Sequence, residues 1–156
     1  MTGSSTGKEK SMSLNIRLMF PKGMEPPPSL NQLESVPFNA LYKVLSELSF
    51  INDGDCRYVA SAVMVDLYGA GVKGDLRYVR GIDKKGNPHR RRPPNWEHFW
   101  VELDGWVLDA SNTVRQNGNE RNLVISHAPM YYRAMGLKVT SRKKPKQFER
   151  KLWKGE

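Results

Sequence analysis

Apolar and polar residues alternate from Leu14 to Phe20, with Leu14, Ile16, Leu18 and Phe20 on one side and Asn15, Arg17 and Met19 on the other. A period of two predicts a half-buried strand. The run Pro26-Pro27-Pro28 predicts a loop, because consecutive prolines continue neither a strand nor a helix interior. The period then changes. Phe38, Leu41, Tyr42, Leu45 and Leu48 share one helical face, with Pro37 suited to the first turn. Cys56, Val59, Ala60, Val63, Met64 and Leu67 form the apolar stripe of a second helix, which Asp55 can cap and the glycines of Tyr68-Gly69-Ala70-Gly71 can end. Residues 75–81 suit a strand, residues 122–129 another, and residues 130–136 one or two helical turns. Beyond residue 137 the chain is polar and charged, and the pattern predicts no element.

The clearest local signal lies between the basic loop and residue 111. Asp104-Gly105 favours a type I′ turn, which needs positive φ at both central residues. Such a turn pairs Leu103 with Trp106, Glu102 with Val107, Val101 with Leu108, Trp100 with Asp109 and Phe99 with Ala110. Alternation then sorts the side chains. Phe99, Val101, Leu103, Trp106, Leu108 and Ala110 make an apolar face, and His98, Trp100, Glu102, Val107, Asp109 and Ser111 share the other. His98 lies opposite Ser111 and one diagonal step from Asp109, about 7–8 Å between backbones, which two side chains can close to a hydrogen bond. A one-residue slip would expose six apolar groups, so this turn determines the register.

A histidine and an aspartate on one face invite a search for a nucleophile. The chain's one cysteine, Cys56, opens the second helix, where the helix dipole and unsatisfied backbone N–H groups favour a thiolate and can stabilise an oxyanion. A histidine within reach takes the thiol proton, and an aspartate behind it holds the imidazole tautomer. Each residue also has an ordinary role. A cysteine on an apolar stripe packs as a small hydrophobe, and a strand histidine beside an aspartate is often a satisfied polar pair. Spacing alone leaves both readings open.

The segments Gly54–Gly81 and Glu97–Ser111 resemble, in order, the two motifs of the transglutaminase-like superfamily of papain-fold cysteine enzymes. The first is Gly-x-Cys opening a helix that ends in glycine, then a strand ending in glycine. The second is His-x-Trp-Val-Glu, a Gly-Trp, and a strand ending in Asp. The second is also similar to that of the cysteine peptidases that remove leader peptides from lasso peptides. The resemblance implies an α+β, papain-like fold, with a Cys-bearing helix packed on an antiparallel sheet that carries the His and the Asp. It implies Cys56 as nucleophile, His98 as general base and acid, and Asp109 as orienting carboxylate, cleaving or transferring at an amide of a protein or peptide substrate without a cofactor. Relatives supply an oxyanion-hole side chain from before the cysteine, for which Tyr42 and Asn52 are the candidates. Trp100, on the His98 face, is a candidate wall of the substrate cleft or a core residue.

Composition adds limits. At 156 residues the chain suits one domain with a real core, expected over residues 14–137, between a disordered tail at 1–13 and a basic tail at 138–156. No apolar run approaches the roughly 20 residues of a membrane span. Residues 1–13 lack the apolar stretch of a signal peptide, and a single cysteine forms no internal disulfide, so a cytoplasmic location is expected. With no cysteine pair and no His-Glu-x-x-His, a zinc site is not expected.

The net charge of +9 is concentrated in two places. Residues 83–92 hold five Lys/Arg against one acid, and residues 138–154 hold eight against one, leaving 12 basic and 14 acidic groups elsewhere. Arg90, Arg91, Arg92, Lys143 and Lys144 are therefore candidate contacts for a nucleic acid or an acidic partner. A noncatalytic module of the same fold that binds through them is the alternative to an enzyme. His89 sits among these arginines and suits solvent or a phosphate, and His127, with no acid nearby in sequence, suits a structural role.

Overall fold

The computed structural model describes residues 13–47, 55–110 and 120–146. Strand β1 (Ser13–Met19) leads through a 3₁₀ segment at Pro28–Ser35 to helices α1 (Asn39–Ser46) and α2 (Asp55–Gly69). Strand β2 (Leu76–Asp83), a basic loop with a 3₁₀ turn at Pro88–Arg90, and the hairpin β3 (Trp96–Leu103) and β4 (Trp106–Asp109) follow. The described chain closes with β5 (Glu120–His127), α3 (Ala128–Met135) and β6 (Lys138–Lys143). The strands form one sheet in the order β1-β5-β4-β3-β2-β6. The class is α+β, as expected, but the sheet is mixed: β1 runs parallel to β5, while the other neighbours are antiparallel.

The hairpin has the register that its turn dictates, with Leu103 opposite Trp106, Glu102 opposite Val107 and Val101 opposite Leu108. Asp104 and Gly105 both take positive φ, 49° and 80°, as a type I′ turn requires. The six apolar residues of one hairpin face join the main core, together with the α2 stripe and with Leu41 and Leu45 of α1. Helix α1 is fastened to α2 by Asp66, whose carboxylate accepts the backbone N–H groups of Ala40 and Leu41, each at 2.9 Å.

The other hairpin face is buried as well. Trp100 and Val107 pack with Val79, Ala128, Tyr131 and Leu137 in a second, smaller core beneath α3. Helices therefore cover both sides of the central strands. Helix α2 opens at Asp55 itself, so that residue forms the first turn, and the position before it lies outside the described residues.

Three segments depart from the sequence pattern. Residues 138–143, expected to be tail, form an edge strand against β2. Its half-buried positions are Val139, Ser141 and Lys143, of which only one is apolar, and a register shift in its pairing with β2 further hides the period of two. Charged side chains along such an edge also oppose pairing with another chain. At the opposite edge, Ile16 and Leu18, on the apolar side of the strand expected to be half-buried, are 43% and 44% exposed. Within the expected proline loop, Pro28 starts a 3₁₀ helix whose Leu30 and Leu33 reach the core. Ser13, expected to end the N-terminal tail, opens β1, and residues 1–12 and those beyond 146 lie outside the described residues.

Gly81, opposite His98, is where a strand and a ring approach closely. A Cβ there would sit 2.5 Å from Cη2 and 2.9 Å from Cζ3 of Trp100, whose ring is fully buried and cannot retreat. Gly81→Ala should destabilise the protein by about 1–3 kcal/mol, the usual consequence of overpacking. Urea unfolding checks this, and an unchanged midpoint would show that the ring yields.

Candidate active site

The hairpin brings His98 and Asp109 together across the turn. Asp109 is the last residue of β4, and the diagonal step is closed by a hydrogen bond of 2.8 Å between His98 Nε2 and Asp109 Oδ2. Both side chains are almost completely buried, and so is Cys56 in the first turn of α2. With Nε2 held by Asp109, the nitrogen available to the thiol is Nδ1. Burial alone would depress the His98 pKa. Asp109 outweighs it by charge and hydrogen bond, and the Cys56 thiol adds to the same effect, so the imidazole is raised from 6.5 to about 9.

The imidazole is also clamped by rings. Trp96, His98 and Trp100 occupy alternate positions of β3, and so share a face. The His98 ring stacks on Trp96 at 5.3 Å between centroids and on Trp100 at 5.8 Å. The Arg92 guanidinium lies 4.0 Å from the centre of Trp96 and extends the column.

Two residues farther along β3 from Trp100, Glu102 is a second buried carboxylate on this face. It accepts Trp100 Nε1 at 2.9 Å, the Tyr132 hydroxyl, and Arg142 Nε at 3.3 Å. Burial, then the hydrogen bond and charge of Glu102, push the Tyr132 pKa up to about 12 against the opposing effect of Arg142. The Tyr131 hydroxyl, from the preceding residue of α3, donates to Asp109 Oδ2. The sequence pattern assigns no role to Tyr131, Tyr132, Glu102 or Arg142. The Tyr-Tyr pair is visible in it, but the partners emerge only when α3 lies on the sheet.

Several candidate residues fall elsewhere. Trp100 is fully buried, so it is a core residue that steadies His98 and not the wall of an open cleft. Arg92 is buried too. It pairs with Asp83 at 3.3 Å and donates to the Met135 carbonyl at 2.6 Å, so its guanidinium is engaged within the protein. Arg90 reaches the Ala134 carbonyl at 3.2 Å, while Arg91 stands exposed at a positive φ of 58°. Lys143 is half-buried at the end of β6, and Lys144 is exposed beyond it. Tyr42 lies at the surface of α1, whereas Asn52, Gly54 and Ser111 lie outside the described residues. His89 is exposed in the basic loop, and His127 packs against Trp106 with centroids 5.4 Å apart.

A cavity of about 460 Å³ is bounded by Glu102, Tyr132, Arg142, Trp106 and neighbouring residues, and Cys56, His98 and Asp109 do not line it. Among the described residues, no cluster of three or more His, Cys, Asp or Glu side chains could hold a metal ion. Among them, too, no helix is long and apolar enough to cross a membrane.

The raised His98 pKa makes stability depend on pH. A group whose folded pKa lies above its unfolded value stabilises fully below the unfolded value, 6.5, and loses that contribution as pH rises through about 9. The stability lost in Asp109→Asn should therefore be largest near pH 6 and shrink by about pH 9.5. Urea unfolding of both proteins across that range tests this, and a pH-independent difference would contradict it.

No family model matches this chain, and neither a curated protein nor a solved structure does.

Proposed function

We propose that the chain is a cysteine-nucleophile enzyme of the transglutaminase-like, papain-fold type, acting on an amide of a protein or peptide. The observation that carries the reading is the imidazole of His98. One of its nitrogens is held by Asp109 at 2.8 Å, and Cys56, buried in the first turn of α2, is among the groups that raise the pKa of the same ring.

The chemistry follows from those three groups. With the Cys56 proton already resting on His98, the sulfur attacks the amide carbonyl as a thiolate, forming a C–S bond. The tetrahedral oxyanion is stabilised by backbone N–H groups at the start of the helix. The C–N bond then breaks as His98 gives its proton to the leaving amine, and a thioester remains on Cys56. Water resolves it in a peptidase or amidase, and a second amine resolves it in a transferase. Asp109 keeps the imidazole in one orientation throughout and favours its protonated form.

Alkylation of Cys56 by iodoacetamide across pH tests the reading without a known substrate. His98→Ala should slow the reaction of Cys56 at neutral pH by about tenfold or more relative to wild type. A thiol that reacts at the same rate with and without His98 would make Cys56 a core residue and end the catalytic reading.

A further inference from the structure

The proposed chemistry uses Cys56, His98 and Asp109 and leaves one buried hydroxyl of the same cluster without a part. Tyr131 is 5% exposed, and its ring packs on Trp100 with centroids 5.4 Å apart. Its hydroxyl donates to Asp109 Oδ2, the oxygen that also holds His98 Nε2. A carboxylate oxygen has two lone pairs and can accept both. The approach of Tyr131 is fixed from a distance, because Arg92 and Arg90 of the basic loop grip the carbonyls of Met135 and Ala134 at the end of α3. The neighbouring Tyr132 is committed to Glu102, so each buried carboxylate of the hairpin face has one tyrosine of its own.

We propose that Tyr131 is a positioning residue of this site, whose hydroxyl fixes the Asp109 carboxylate and draws off part of its charge, so that Asp109 orients His98 without locking the proton on it. The proposal rests on the catalytic reading above. A base that must first take a proton and then surrender it to a leaving amine works best when its partner holds that proton neither too loosely nor too tightly.

The groups facing the pair come from α2, β3, α3 and the basic loop. Among the described residues, Asp109 is met by His98 from β3 and Tyr131 from α3. His98 is met by Cys56 from α2 and by Asp109, with the Arg92 charge stacked behind Trp96 and also felt by Tyr131. Removal of the hydroxyl returns charge to Asp109 and strengthens its hold on the imidazolium.

The test is an NMR titration of the His98 ring in wild type, Tyr131→Phe and Asp109→Asn, with the pH profile of Cys56 alkylation measured alongside. Phenylalanine keeps the ring on Trp100 and removes only the donor. The His98 midpoint should rise by about half a unit to one unit in Tyr131→Phe and fall in Asp109→Asn, with the alkylation profile moving the same way. Ring-fluorinated tyrosine at position 131, a stronger donor that keeps the hydroxyl, should lower the midpoint and gives a second readout if Tyr131→Phe folds poorly. An unchanged or lowered midpoint in folded Tyr131→Phe, or an unmoved one with fluorotyrosine, overturns the role of Tyr131. If alkylation still depends on His98 in that case, the catalytic reading survives. Alkylation that ignores His98 overturns both.

Discussion

Two carboxylates on the inner side of one hairpin govern the rest of this structure. Glu102 and Asp109 are each less than 5% exposed. A buried carboxylate is costly unless donors surround it. Asp109 receives His98 and Tyr131, and Glu102 receives Trp100, Tyr132 and Arg142. Those donors come from β3, α3 and β6. The need to satisfy two acids thus draws a short helix and an edge strand onto a face that would otherwise lie open. The basic loop completes the arrangement by closing the end of α3 with Arg92.

The proposed site uses the same construction. Helix α2, packed with the apolar face of the hairpin, carries Cys56, while the opposite face carries His98 and Asp109. Aromatic rings hold the imidazole above and below. An imidazole fixed by packing on two faces and by a carboxylate at one nitrogen has a single orientation, which the proposed proton transfer between a sulfur and a leaving amine would use.

Much of this is legible in the amino-acid sequence wherever local chemistry decides. Asp104-Gly105 dictates a type I′ turn, the turn dictates the register, and the register puts His98 and Asp109 on one face. The stripe from Cys56 to Leu67 likewise identifies α2, because its apolar positions follow one period without interruption. The features that are not legible depend on tertiary partners. Strand β6 has one apolar residue among its half-buried positions and shows itself only through its pairing with β2. Arg92 looks like its exposed neighbour Arg91, and only Asp83, Trp96 and Met135 reveal it as a buried clamp. Trp100 looks like a cleft wall until α3 covers it. Tyr131 has no sequence neighbour that would announce its partner.

The central claim is that one imidazole is shared between Asp109 and Cys56, and the ¹⁵N spectrum of the His98 ring tests it most directly, recorded at neutral pH before and after Cys56 is alkylated. A pKa of about 9 predicts a ring protonated on both nitrogens beforehand, and a shared site predicts that both resonances move once the thiol is blocked. A neutral ring, or resonances indifferent to the alkylation, would contradict the account.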